Sequence, residues 1–157
     1  LRGITVSGAR PLPMKELKEL FEGLKCGNVR TYIQSGNVVF EGSKIDPAAF
    51  ARKVEAAIKK KYDYEVPVLV RSLDEMKAVA KANPYLKHKS MELDKLHVTF
   101  LAVAPDKAIE EKIAGTTFGK DSFALHGREV YIHCPDGYGN SKLNNNWFES
   151  KLKVHDS

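Results

Sequence analysis

The residues with the clearest chemical potential lie in a short loop near the end of the chain, residues 135–142. Gly137 and Gly139 lack a Cβ, so their backbone amides can approach a ligand closely. A helix predicted to start near Ser141 would present unpaired N–H groups and a partial positive charge. Ser141 adds a hydroxyl donor, and Lys142 adds a full positive charge. Together these groups favour binding of a phosphate or a carboxylate, as in a small anionic ligand or a nucleotide.

The same loop has an alternative interpretation as an ordinary connection between a strand and a helix. The Walker A spacing G-x-x-x-x-G-K-[ST] is absent, because Lys142 follows Ser141 directly. Asp136-Gly137 would then form a turn, and Asn140 or Ser141 would cap the helix. Residue types and spacing leave both interpretations open.

A second polar group combines Arg2 with the predicted hairpin tip, residues 34–37. The guanidinium of Arg2, projecting from a first strand, has the fork geometry that holds an anion through two hydrogen bonds. The amide of Asn37 is suited to reading another amide or a base edge. The alternative is that Ser35-Gly36-Asn37 is simple turn chemistry and that Arg2 forms a surface ion pair.

Two tyrosines suggest nucleic acid as a different class of partner. Tyr32 and Tyr131 occupy matching non-core faces of the two predicted hairpins, with Arg30 and His133 nearby, and the net charge is +5. An open sheet face that carries aromatic rings can stack RNA bases, although the RNP1 pattern is missing here. The alternatives are that these rings pack between the two halves of the chain, or that the chain is a protein-interaction module without a ligand, such as a dimer through an open sheet face.

No constellation for catalysis or metal binding emerges from the sequence. His133 and Cys134 are adjacent in a predicted strand and point to opposite faces, and the motifs H-E-x-x-H, C-x-x-C and G-x-S-x-G are absent. We therefore expect no cofactor and no metal. Cys26 and Cys134 are the only cysteines and lie far apart, which favours a reducing, cytoplasmic compartment. No apolar run approaches the ~18–20 residues of a membrane span, and the oligomeric state is left open.

The elements that must position these residues repeat once along the chain of 157 residues. In the first half, the patterns predict a strand over 1–6, a helix over 13–26, a hairpin over 29–41 turning at 35–37, a helix from Asp46-Pro47, and a strand over 67–70. This β-α-β-β-α-β order is typical of ferredoxin-like units, in which an antiparallel sheet carries its helices on one face.

The second half repeats this order without the closing strand. Ser72 and Glu75 predict a capping box for a connecting helix. A strand over 96–103, a helix from Pro105 and a hairpin over 121–134 turning at Gly127-Arg128 follow, and then a last helix. We therefore predict an α+β protein of two ferredoxin-like β-α-β-β-α repeats. Residues 1–72 would form the first repeat, and residues 73–157 the connecting helix plus the second.

Three stretches carry a resemblance to a known family. They are Leu-Arg-Gly-Ile at 1–4, Val-Arg-Thr-Tyr-Ile-Gln-Ser-Gly-Asn-Val-Val-Phe at 29–40, and Pro-Asp-Gly-Tyr-Gly-Asn-Ser-Lys-Leu at 135–143. In this order and spacing they resemble the bacterial family catalogued as domain of unknown function 1697, over nearly the whole chain. The resemblance implies a two-part α+β fold related to the ferredoxin-like arrangement, and it implies no activity.

The chain departs from that family's pattern at both ends. The family usually reads Ile-Asn-Val-Gly-Gly after Arg-Gly, whereas Ile4 is followed here by Thr-Val-Ser-Gly. The family usually continues past its last helix into a Thr-Thr-Arg-Asn-Trp segment, which this sequence does not include. If that segment completes a site, we expect part of the site to be missing from this chain.

Overall fold

The computed structural model of this protein describes residues 1, 11–32 and 36–153. The chain forms two compact units, Leu1–Val70 and Arg71–Ser157. The described part is an α+β structure that contains two small antiparallel sheets and five α-helices. Within the same residues, none of the helices combines the length and the apolarity that a membrane span requires.

The first unit builds its core from two helices and a hairpin. Helix α1 (Met14–Gly23) is followed by strands β1 (Gly27–Tyr32) and β2 (Asn37–Glu41) and by helix α2 (Pro47–Tyr62). The carboxylate of Asp46 accepts a hydrogen bond from the Ala48 amide, so α2 begins at the predicted cap. The buried apolar residues are Leu12, Leu17, Phe21, Cys26, Val29, Phe50, Val54, Ile58, Val66 and Val68.

The first hairpin keeps its predicted faces but not its predicted register. Val29 is buried, while Tyr32 and Val39 on the other face are 66% and 68% exposed. A two-residue turn at Ser35-Gly36 would pair residue 34 with Asn37, and one at Gly36-Asn37 would pair residue 35 with Val38. In the structure Asn37 belongs to strand β2 and pairs with Tyr32 of β1. The prediction that Asn37 belongs to the turn is therefore wrong. The same side chains still point to the core because the observed register differs from either predicted one by an even number of residues.

Two predicted strands of the first unit stay unconfirmed. The first, residues 1–6, falls almost entirely outside the described residues. The second, Pro67–Val70, forms no ladder with any described strand. Val68 within this segment and Val66 just before it are buried, and the Val68 amide donates to the Glu55 carboxylate at 2.9 Å. In a ferredoxin-like order its sheet partner would be the first strand.

The second unit is a three-stranded antiparallel sheet with the order β3-β5-β4. His126 pairs with Glu129, which leaves Gly127-Arg128 as the two-residue turn that the sequence predicts. The predicted capping box between Ser72 and Glu75 is also confirmed. The elements are α3 (Leu73–Lys81), β3 (Leu96–Phe100), α4 (Lys107–Ile113), β4 (Ser122–His126), β5 (Glu129–His133) and α5 (Asn145–Leu152).

Helices α4 and α5 of the repeat lie on one face of this sheet, and the connecting helix α3, which the prediction did not assign to a face, lies on the other. One face packs against α4 and α5, and its core contains Leu101, Ile113, Val130, Ile132, Cys134, Leu143, Phe148 and Leu152. On the other face, the Tyr131 hydroxyl donates to the Val79 carbonyl of α3 at 2.8 Å. The Tyr85 ring lies 5.5 Å from the ring of His133 on the same side. The connecting helix is drawn onto this face because Tyr131 offers it a large apolar side chain with a polar tip.

Candidate functional site

The loop between β5 and α5 differs from its prediction in where the last helix starts. Helix α5 begins at Asn145, and the Asn144 side chain accepts a hydrogen bond from the Trp147 amide at 3.0 Å. The predicted start near Ser141 is therefore wrong. At Ser141 the backbone is extended, with φ −72° and ψ 141°, after a short 3-10 helix over Tyr138–Asn140. The helix dipole consequently begins downstream of Ser141 and does not add to its hydroxyl.

The side chain of Ser141 points into the protein and holds the loop in place. It is 8% exposed. Its hydroxyl donates to Asp121 Oδ2 at 2.7 Å and accepts from the Leu143 amide at 3.1 Å. Both the proton and a lone pair of the hydroxyl are thus engaged, so Ser141 fixes the loop and is not presented to solvent.

The two loop glycines differ in their roles. Gly137 has φ +99°, a conformation that side chains strain, and its amide donates to the Cys134 carbonyl at 3.0 Å. Gly139 is exposed and has no such φ. A Cβ built at either glycine would meet nothing within 4 Å. Gly137 is therefore required by the turn itself, whereas Gly139 leaves an open surface beside the backbone.

Lys142 is exposed and lies next to an aromatic ring. Its Nζ is 5.8 Å from the centroid of the Phe118 ring, which packs edge-on against Trp147 at 5.7 Å. Among the described residues, no carboxylate lies within 4.0 Å of this ammonium group. The Phe118 face restrains the side chain weakly, and the side chain stays exposed.

A group of polar residues that the sequence interpretation missed anchors the other end of the loop. We call His97, Thr99, Tyr138 and Asn145 the His97 cluster. Thr99 Oγ1 and Tyr138 Oη both donate to Asn145 Oδ1, at 3.1 and 3.2 Å. The His97 ring lies 4.6 Å from the Tyr138 ring, and burial lowers the pKa of His97. The alternation of His97 and Thr99 on one face of β3 was the sequence signal available for it.

The structure brings together four of the six residues predicted to bind an anion. Gly137, Gly139 and Lys142 present the loop to solvent, while Ser141 supports it from below. Asn37 lies in the first unit, exposed on β2 opposite Tyr32. Arg2 lies outside the described residues. The loop is thus the part of the predicted site whose geometry the structure describes.

The two tyrosines considered for nucleic-acid stacking differ in exposure. Tyr32 is 66% exposed, whereas Tyr131 is 1% exposed and hydrogen-bonded to the Val79 carbonyl. Tyr131 therefore packs within the second unit and cannot stack on a base.

Removing the hydroxyl of Tyr131 tests its structural role. Tyr131→Phe leaves the Val79 carbonyl without its buried donor, so we expect the free energy of unfolding to fall by about 1–3 kcal/mol. Tyr32→Phe, at an exposed position, should change it by less than about 0.5 kcal/mol. Urea titrations followed by circular dichroism measure both. Equal, small effects for the two variants would contradict the buried hydrogen bond.

Neither cysteine is placed for nucleophilic chemistry. Cys26 and Cys134 are free and buried, and burial raises the pKa of each thiol. In the described part of the chain, no group of three or more His, Cys, Asp or Glu side chains is arranged to hold a metal ion.

The comparisons with known proteins identify a family and no activity. The family described as "Protein of unknown function (DUF1697)" matches residues 1–131. The chain belongs to this family. The resemblance found in the sequence is thereby confirmed over most of the chain, although the DUF1697 match ends before the loop at 135–142. None of the curated proteins matches the chain.

A solved structure supports the fold of this DUF1697 protein. It is that of a conserved bacterial protein from Streptococcus pneumoniae, with a TM-score of 0.66 and 20% sequence identity. The similarity covers 95% of this chain and 77% of the other. At this identity the likeness shows a shared fold alone.

Proposed function

We propose that this DUF1697 protein binds a small anionic ligand, carrying a phosphate or a carboxylate, on the exposed side of the loop 137–142. The observation that carries the proposal is the ammonium group of Lys142. It is solvent-exposed, is held over the Phe118 ring, and has no described carboxylate within 4.0 Å. An exposed charge on a fixed loop, with no carboxylate beside it in the described part of the chain, is available to a ligand at little reorganisation cost.

The other loop residues have distinct roles in this proposal. Gly139 supplies an open approach to the backbone, since a Cβ there would meet nothing within 4 Å. Gly137 allows the turn through its positive φ, and Ser141 holds the loop through Asp121. Arg2 and Asn37 form the second polar group of the sequence prediction, and binding at the loop does not require them.

Replacing Lys142 tests the proposal directly. A panel of phosphate, nucleotides and small carboxylates is expected to raise the melting temperature of the wild type, because a ligand at 100 times its Kd adds about 2.7 kcal/mol. Lys142→Ala should abolish the shift, and Lys142→Arg, which keeps the charge, should retain most of it. Differential scanning fluorimetry measures the shift for each compound.

Lys89→Ala is the matched control, because Lys89 is an exposed lysine in a loop of the same unit. It removes the same charge and should leave the shift unchanged. An undiminished shift in Lys142→Ala, or an equal loss in both alanine variants, would reject the site. Binding to single-stranded nucleic acid that weakens steeply with added salt would favour instead the exposed hairpin face of Tyr32 and Arg30.

Two further parts of the proposal concern architecture and location. A ferredoxin-like arrangement of the second unit is supported by its strand order β3-β5-β4, which corresponds to first, third and second strand of that fold. A reducing compartment such as the cytoplasm is supported by Cys26 and Cys134, which are free thiols.

A further inference from the structure

A tight turn, residues 118–121, is bound to the loop that carries Lys142. Within the turn, the Phe118 amide donates to the Asp121 carbonyl at 3.3 Å, and the Asp121 amide donates to the Phe118 carbonyl at 3.1 Å. The Asp121 carboxylate accepts from the Ser141 hydroxyl at 2.7 Å. The Phe118 ring centroid lies 5.8 Å from Lys142 Nζ. Two separate contacts therefore hold the turn against the loop.

The turn places a second ammonium group near Lys142. Lys120 is exposed and directly precedes Asp121. Lys142 directly follows Ser141, and consecutive Cα atoms are about 3.8 Å apart, so both lysines start one residue away from the same hydrogen bond. In the described part of the chain, neither lysine forms an ion pair. Two ammonium groups beside the Asp121 carboxylate leave an excess of positive charge here.

Two partly exposed aromatic rings lie next to these lysines. Phe118 and Trp147 pack edge-on with centroids 5.7 Å apart, and both keep part of their surface in solvent. Trp147 also packs edge-on against Phe148, which is fully buried and anchors the indole on the core. Within the described residues, the indole N–H has no hydrogen-bond acceptor. A partly exposed indole offers a ligand both an apolar ring surface and a hydrogen-bond donor.

We propose that the ligand of the loop is a phosphate ester that carries an aromatic ring, as a nucleotide does. Its phosphate would bind the ammonium groups of Lys142 and Lys120, and its ring would pack on the exposed part of Trp147. This ligand class rests on the proposed function, because Lys142 has to bind the anion. It adds Lys120 as a second binding residue and Trp147 as the residue that selects for a ring.

The charges and the rings favour this class over a simple carboxylate or a free phosphate. A phosphate ester carries a charge of about −1.5 to −2 near pH 7, which suits two ammonium groups better than the single charge of a carboxylate does. A free phosphate leaves the exposed indole uncovered, whereas stacking on an aromatic side chain strengthens binding and accepts any base. We therefore expect a preference for the ring and little preference among bases.

Isothermal titration calorimetry with adenosine monophosphate, uridine monophosphate and ribose 5-phosphate tests the ligand class. All of these compounds carry a phosphate ester, and ribose 5-phosphate lacks the aromatic ring. We expect each nucleotide to bind at least about tenfold more tightly than ribose 5-phosphate, and Trp147→Leu should remove this difference. The emission of Trp147 in the wild-type chain should change with the nucleotides and not with ribose 5-phosphate, which keeps the test decisive if Trp147→Leu does not fold.

Replacing Lys120 tests the second binding residue. Lys120→Ala should weaken nucleotide binding about fivefold, the upper end for an exposed ion pair, and Lys120→Arg should retain most of the affinity. Lys89→Ala removes the same charge from an exposed position of the same unit and should bind like the wild type.

The failure of this ligand class is distinguishable from the failure of the proposed function. Equal affinity for the nucleotides and for ribose 5-phosphate, lost for both in Lys142→Ala, would overturn the ring-bearing ligand and leave the anion site intact. Wild-type affinity in Lys120→Ala would overturn the role of Lys120. Binding of none of these compounds, or undiminished binding in Lys142→Ala, would overturn the ligand class and the anion site together.

Discussion

Phe148→Ala is expected to lower the free energy of unfolding of the second unit by about 3–5 kcal/mol. Phe148 is fully buried, and its ring packs edge-on against Phe123 at 5.2 Å and Trp147 at 5.0 Å. Alanine removes both ring contacts and leaves a cavity between α5 and the sheet. Trp147 is the single tryptophan of the chain, so its fluorescence during urea titration follows this unit directly.

Phe148→Leu is the matched variant, since it stays apolar and leaves a smaller cavity than alanine does. We expect Phe148→Leu to lower the free energy of unfolding by much less than Phe148→Ala does. A midpoint for Phe148→Ala within experimental error of the wild type would mean that α5 does not close this core.

Ser141→Ala is expected to lower the free energy of unfolding by about 1.5–3 kcal/mol, the range for a hydrogen bond to a charged group. The change leaves the Asp121 carboxylate without its donor at 2.7 Å and the Leu143 amide without its acceptor. The same Trp147 fluorescence titration measures the loss, because the loop leads into α5.

Ser150→Ala provides the comparison on an exposed position of α5, where the change should be within about 0.5 kcal/mol. If Ser141→Ala changed the free energy of unfolding as little as Ser150→Ala does, the hydroxyl of Ser141 would not hold the loop. A ligand that raises the melting temperature of the wild type should also raise that of the destabilised Ser141→Ala chain. This result would fit a supporting role for Ser141, separate from the charge of Lys142.

Local pattern was enough to predict the hairpins of both units. Strict alternation assigns Val29, Val130 and Ile132 to the core, and it does so although the first hairpin pairs Tyr32 with Asn37, a register that neither predicted turn gives. The Gly127-Arg128 turn was predictable because only a two-residue connection fits between the alternating runs. These elements depend on side chains close in sequence, which a pattern can show.

The features that the sequence did not predict depend on distant partners. Asn140, Ser141 and Asn144 are all able to cap a helix, and the choice among them is settled by the bond from Ser141 to Asp121, twenty residues away. The helix on the second face of the sheet follows from the bond between Tyr131 and Val79, which are 52 positions apart. No local motif encodes either contact, and the His97 cluster was missed for the same reason.

Each compact unit contains one buried cysteine, Cys26 in the first and Cys134 in the second. A thiol reagent needs an exposed thiolate, and burial raises the pKa of both groups. Modification must therefore wait until the surrounding unit opens. The labelling rate of each cysteine therefore reports how fast its own unit opens, and no added probe is needed.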